Sequence, residues 1–198
     1  MLVFWKQNLA LLSVPKTGTT ALEAALSPAA DIVMSNPPEL KHLPVYRYTR
    51  FMEKMFDKAT GRKPETVAVV REPIDWLGSW YRYRQRPELN GRPNSTAKVD
   101  FDEFVLEYTK GKPAPFANVG SQARFLAGDN DALCGVTHLF RYDQLDRLYS
   151  FLEERLDRRF NTEQMNVSPR RDIALSPEVA QHLRHKCARE FELYESVT

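Results

Sequence analysis

The residues whose types and spacing could do chemistry begin with Ser13–Leu22, SVPKTGTTAL. An apolar run, LALLSV (Leu9–Val14), leads into a glycine-containing turn and a threonine-rich helix start. That order suits anion binding, because unpaired N–H groups at a helix start converge on oxyanion oxygens, helped by the positive end of the helix dipole. The common phosphate loop reads G-x-x-x-x-G-K-[ST], with lysine directly after the second glycine. Here Thr19 follows Gly18, and Lys16 stands two residues before the glycine. A second charged residue ends the clearest strand in the chain: ETVAVV (Glu65–Val70) runs straight into Arg71. Phosphoryl transfer on a phosphate loop uses the lysine together with Mg²⁺, held by a loop hydroxyl and by an Asp that ends another strand. An arginine at that place binds a carboxylate or phosphate instead, often through two parallel hydrogen bonds. Both departures point to an anion handled without a metal ion.

With those residues in hand, VPKTGTTAL resembles the 5′-phosphosulfate-binding loop of the sulfotransferases that use PAPS, 3′-phosphoadenosine 5′-phosphosulfate. The segment VVREPIDWLGSWYRYR is similar to their 3′-phosphate-binding strand and helix, an Arg followed eight residues later by a Ser. FRYDQL, NVSPRR and a terminal helix ending at Tyr194 resemble the bacterial and carbohydrate branch of that family. The resemblance implies that Lys16, Thr17, Gly18, Thr19 and Thr20 hold the 5′-phosphosulfate. Lys16 would also stabilise the charge that develops on the bridging oxygen as the S–O bond breaks. Arg71 and Ser79 would bind the 3′-phosphate, with Arg170 or Arg171 closing over the nucleotide. A sulfuryl group, less charged than a γ-phosphoryl group, would then pass without metal to a hydroxyl of a carbohydrate or small molecule, releasing PAP, 3′,5′-adenosine bisphosphate. Two other functions fit the same loop: a small-molecule kinase using ATP, and a non-catalytic relative that binds PAP.

The acceptor must lose a proton, so a base is expected within hydrogen-bond reach. Of the four histidines, His182 and His185 fall on a polar helix and read as solvated, and His138 sits inside an apolar strand and reads as structural. His42, in ELKHLPVYRY, follows the second strand region, where several branches of the resembling family place their base. Glu39 is the reserve, and Lys41 could assist an anionic acceptor. Gln122, in SQARFL, could approach the acceptor or the nucleotide. Trp76, Trp80 and Tyr83 have the spacing of helix–sheet packing. Acceptor contacts are expected from the loops Asn36–Tyr48, Arg86–Asp100 and Lys110–Gly120, whose basic residues hint at an acidic or sugar-like molecule.

These residues need a scaffold. Strand and helix patterns alternate, which predicts an α/β fold of three layers, a central parallel sheet of the P-loop nucleotide-kinase type flanked by helices. The expected strands are two short ones joined by a turn at Lys6–Asn8, then Asp31–Met34, Glu65–Val70 and Val136–Arg141. Helices are expected over Thr19–Leu26, Val45–Phe56 with Tyr48, Phe51, Met52 and Met55 on one side, the stretch from Pro73, Phe101–Lys110, Ser121–Leu126, Tyr142–Leu156 and Ser176–Tyr194. The 198 residues suit a single domain over 1–198. A net charge of +2 argues against a nucleic-acid partner, and 42% apolar with 27% charged residues is ordinary for a globular chain. Cys134 and Cys187 stand alone, as free thiols of a reducing, cytoplasmic setting. No stretch approaches the ~20 apolar residues of a membrane span, and the apolar N-terminus is interrupted at Lys6–Asn8.

Overall fold

The computed structural model describes residues 1–162 and 173–197. Strands β1 (Leu2–Phe4) and β2 (Leu9–Leu11) form an antiparallel hairpin, with Leu2 opposite Leu11 and Phe4 opposite Leu9. Asn8 closes the turn at φ 54°, a left-handed conformation in which asparagine is enriched. The outer edge of β1 takes β3 (Ile32–Val33), also antiparallel. On the other side β2 pairs in parallel with β4 (Glu65–Val70), and β4 in parallel with β5 (His138–Arg141). The order across the sheet is β3-β1-β2-β4-β5. The expected parallel sheet is thus corrected to a mixed one. A parallel connection needs a crossover of a dozen or more residues, and the turn Trp5–Asn8 permits only reversal of direction.

Side chains alternate along the strands, so the sheet has a core on each face. Leu2, Phe4, Leu9, Leu11, Val67 and Val69 share one buried cluster with Leu22 and Leu26 of helix α1 (Thr19–Leu26). Leu148, Leu152 and Leu156 of the later helix Leu145–Leu156 complete the same cluster. Met1, Val3, Ala10, Leu12, Ala68 and Val70 form the opposite core. That side is covered after α2 (Pro38–Lys41) by α3 (Val45–Arg47), a π-helical segment Tyr48–Glu53 and α4 (Lys54–Thr60). The π segment explains a difference from expectation. Tyr48 and Phe56 are buried, with Met52 packed between them in sequence, but Phe51 and Met55 are more than half exposed. The i→i+5 hydrogen bonding widens the turn, so residues four apart stay on one face and those three apart rotate off it.

Helix α5 (Pro73–Arg84) opens with proline in its first turn and with the Glu72 carboxylate accepting from the Asp75 N–H at 2.7 Å. A third core joins its Trp76, Leu77 and Tyr81 to Phe101, Phe104 and Val105 of α6 (Phe101–Tyr108). The N-cap of α6 is Asp100, which accepts from Glu103 N–H at 2.8 Å. The remaining helices are α7 (Gln122–Leu126), α8 (Leu145–Leu156), α9 (Pro177–Lys186) and α10 (Ala188–Glu195). The single helix expected over Ser176–Tyr194 is broken at Cys187, which leaves helical geometry at φ −121°. The break turns Glu190 inward, where its carboxylate caps the start of α7 through Ser121 Oγ and the Ala123 N–H. No helix among the described residues is long and apolar enough to cross a membrane.

Candidate functional site

Strands β4 and β5 end level, Val70 beside Arg141, and β2 stops three residues earlier, Leu11 beside Val67, its chain running on through Leu12 along β4. The loop after β2, Arg71 after β4 and Tyr142 after β5 therefore meet at one edge. Open α/β sheets bind ligands beyond the carboxyl ends of their strands.

The loop is wound tightly. Lys16 has φ 67° and Gly18 φ 77°. Glycine adopts this freely, whereas lysine does so only where surrounding structure holds it. Three donors supply that hold. The Thr17 hydroxyl donates to Val14 O at 2.9 Å, Trp76 Nε1 to Pro15 O at 2.9 Å and the Arg71 guanidinium to Lys16 O at 3.0 Å. Gly18 also has little room for a side chain: a Cβ there would stand 3.3 Å from Tyr142 Cε2, closer than an ordinary contact. Helix α1 begins at Gly18 without a side-chain cap, so no capping side chain takes up its first-turn N–H groups among the described residues. The loop residues split into two roles. Thr17 is fully buried and spends its hydroxyl bracing the loop, and Thr19 is buried too, while Gly18 and Thr20 are exposed and Lys16 is half-buried.

Lys16 extends over aromatic faces, its Nζ 4.2 Å from the Tyr83 ring centre and 5.5 Å from that of Trp80. Its pKa is lowered to about 8, first by burial and then by repulsion from Arg86, Arg71 and Arg82. Arg71 Nε donates to Asp75 Oδ2 at 2.6 Å, and its guanidinium lies 4.2 Å from the Tyr142 ring centre. Arg82 reaches Asp75 only at 3.7 Å, and its buried Nε has no hydrogen-bond partner among the described residues. Arg86 lies over the other aromatic neighbour, 4.5 Å from the Tyr83 ring centre. Arg71 and Arg82 thus share the carboxylate of Asp75, while Lys16 is repelled by Arg71, Arg82 and Arg86 together. The arrangement follows from helical periodicity: Asp75, Ser79 and Arg82 recur at four and three residues along α5, on the face that Arg71 overhangs. Ser79, on that same face by helical spacing, is buried at 8% exposure.

Gln122 is buried against the end of β4. Its Oε1 accepts from the Arg71 N–H at 2.9 Å and its Nε2 donates to Arg71 O at 2.8 Å. Both ends of its amide thus hold the Arg71 backbone.

His42 ends the short helix α2, and its Nδ1 lies 2.7 Å from Ser13 O, directly before the loop. A carbonyl can only accept, so Nδ1 carries the hydrogen and the neutral ring keeps its lone pair on Nε2. The His42 pKa is lowered, chiefly by burial and further by Lys41, against the opposing bond to Ser13 O. Glu39 is exposed. Lys41 is not available to an acceptor as expected, because its ammonium pairs with Glu23 at 2.7 Å across to α1. His138 is structural, its Nε2 2.8 Å from Glu65 Oε2, which Arg155 also holds at 2.9 Å. His182 is not merely solvated: Nε2 lies 3.1 Å from Thr109 Oγ1. Arg170 and Arg171 lie outside the described residues.

Sequence reasoning missed Arg82 and Arg86 as members of the cation cluster, and treated Trp80 and Tyr83 as packing. Of the three aromatics expected to pack, Trp76 alone is fully buried, at 2% exposure, whereas the rings of Trp80 and Tyr83 lie against the Lys16 ammonium. The missed signal was the helical spacing of basic and aromatic residues downstream of Arg71. Tyr142, inside the FRYDQL motif, was not singled out although it backs both Gly18 and Arg71.

Beside the loop lies a cavity of about 350 Å³, walled by Val14, Pro15, Pro44, Tyr46, Trp76 and Phe125. Among known proteins, no family model, curated protein or solved structure matches the chain.

Proposed function

We propose that the chain is a PAPS-dependent sulfotransferase built on a sheet of P-loop nucleotide-kinase type. One observation carries this reading: four cations gather around the loop, and among the described residues the one carboxylate that ion-pairs with any of them is Asp75, with Arg71 and Arg82. So much clustered positive charge is unfavourable without an anion, and the repulsion is already registered in the lowered pKa of Lys16. A nucleotide with two separated anionic groups answers it. The 5′-phosphosulfate fits the loop, with Gly18 and Thr20 exposed and the first turn of α1 uncapped. The 3′-phosphate fits Arg71, Arg82 and Ser79, where the orphaned Arg82 Nε supplies a donor.

In the proposed reaction an acceptor oxygen forms a bond to sulfur as the bond from sulfur to the 5′-phosphate oxygen breaks. The hydroxyl proton passes to His42 Nε2, and the electron pair of the broken bond stays on the phosphate oxygen. Lys16, protonated in the presence of the anion, stabilises that oxygen. Balanced overall, an alcohol and PAPS give a sulfate ester, PAP and a proton.

Calorimetric titration with PAP, ADP and Mg-ADP tests the reading. PAP is expected to bind at least tenfold more tightly than ADP, with no gain from Mg²⁺. Tight ADP binding that requires Mg²⁺, with PAP no better, would make the chain a kinase and overturn it.

A further inference from the structure

Resting on the sulfotransferase reading, we infer that the acceptor is a flat, apolar alcohol of the phenol class, not a carbohydrate, and that it occupies the cavity beside the loop.

Position comes first. Val14 and Pro15 line the cavity and immediately precede Lys16. Ser13, the anchor of His42, adjoins Val14, and Pro44, two residues beyond His42, lines the cavity as well. Chain neighbours of the loop lysine and of the candidate base therefore wall this one space. Its volume of about 350 Å³ falls at the small end of ligand pockets, which run roughly 300–1,000 Å³.

Chemistry comes second. The walls are largely aliphatic and aromatic, with Trp76, Tyr46 and Phe125 offering ring surfaces. The polar groups among them are mostly committed to one another. Ser121 gives its hydroxyl hydrogen to Glu190, and Gln122 uses both ends of its amide on the Arg71 backbone. Pro15 O takes the Trp76 indole N–H. A sugar brings a ring of hydroxyls that each lose water on entry and need a partner. These walls do not supply such a set. Arg124, exposed at the rim and without a side-chain hydrogen bond or ion pair among the described residues, can meet a single anionic substituent. An aromatic alcohol needs only its one hydroxyl satisfied, and that hydroxyl meets His42 and the sulfuryl group.

The test is calorimetry with 2-naphthol and with N-acetylglucosamine, on the free protein and on protein saturated with PAP. The expected result is saturable naphthol binding that survives saturation with PAP, and no binding of the sugar. Tyr46→Ala removes an exposed wall residue, 52% accessible, and is expected to weaken naphthol at least fivefold while PAP affinity is unchanged. Displacement of naphthol by PAP would assign the cavity to the adenosine and overturn the inference. So would binding of the sugar as tight as naphthol, no naphthol binding to a protein that binds PAP, or an unchanged naphthol affinity in Tyr46→Ala. Failure of PAP itself to bind overturns the parent reading, and the acceptor assignment with it.

Discussion

His42 shows how much a single hydrogen bond decides. Ser13 O can only accept, so it dictates which ring nitrogen holds the hydrogen and leaves Nε2 as the basic one. Burial then disfavours the charged ring and lowers the pKa below its ordinary 6.5. Both effects keep the imidazole neutral at neutral pH, the form that accepts a proton. The sign follows directly: turnover requires the neutral ring, so activity falls as pH drops through the His42 pKa, and that acid limb lies below pH 6.5. His42→Ala is expected to lower kcat by about 10²–10⁴-fold, the usual contribution of general acid–base catalysis, and to abolish the acid limb. PAP affinity should stay within about twofold, since the imidazole neighbours the loop without belonging to the cation cluster. A variant with normal turnover would remove His42 as the base and leave Glu39, the exposed reserve, to be tested next.

Among the elements, α5 does most of the assembly. One face carries Asp75, Ser79 and Arg82 toward the anion site, and the other sends Trp76 into the third core. Its far end is fixed by the buried Arg84, whose guanidinium donates to Pro115 O at 2.6 Å and Asn118 O at 2.9 Å. Across from it, α7 offers Gln122 as a two-point clamp on the Arg71 backbone. Gln122→Leu would leave a buried N–H and C=O without partners, at a cost of about 2–4 kcal/mol. Urea denaturation should show that loss as a lower midpoint with an unchanged slope. PAP affinity should fall as well, because Arg71 loses its fixed position; a loss of stability without a loss of affinity would show that Gln122 only fills space. The limits of sequence reading appear in these same elements. Helix α5 was legible because Pro73 marks its first turn, and Glu65–Val70 because it is a continuous apolar strand. The clamp by Gln122 was not, since it joins residues 51 apart in the chain. The break at Cys187 and the π segment at Tyr48–Glu53 were hidden for a related reason. Both leave the apolar spacing nearly helical while altering which residues turn inward.

At the scale of the whole molecule, charge is distributed very unevenly. The chain is nearly neutral, at +2, yet four cations converge on one edge of its sheet. Strand order brings this about: β2, β4 and β5 are parallel neighbours, so the segments that follow them leave at the same edge. Two cores hold that sheet from either face, and the third fixes α5 beside it. The local field rather than the net charge therefore governs ligand binding, and Lys16 reports it. In the free protein Lys16 loses its proton around pH 8, whereas a bound polyanion favours the ammonium and raises its pKa. Between the two pKa values the bound state holds more protons than the free state, so PAP affinity must fall as pH rises through that interval. The drop from pH 7 to pH 9 should be roughly tenfold, with proton uptake on binding detectable by calorimetry in buffers of different ionisation enthalpy. Lys16→Met should bind PAP more weakly at pH 7 and lose most of this pH dependence. Raising salt should weaken PAP for both proteins, because Arg71, Arg82 and Arg86 remain, and exposed parts of the cluster are screened within a Debye length of about 10 Å at 0.1 M. A pH dependence that persists in Lys16→Met would place the responsible titration elsewhere and detach the lysine from the anion site.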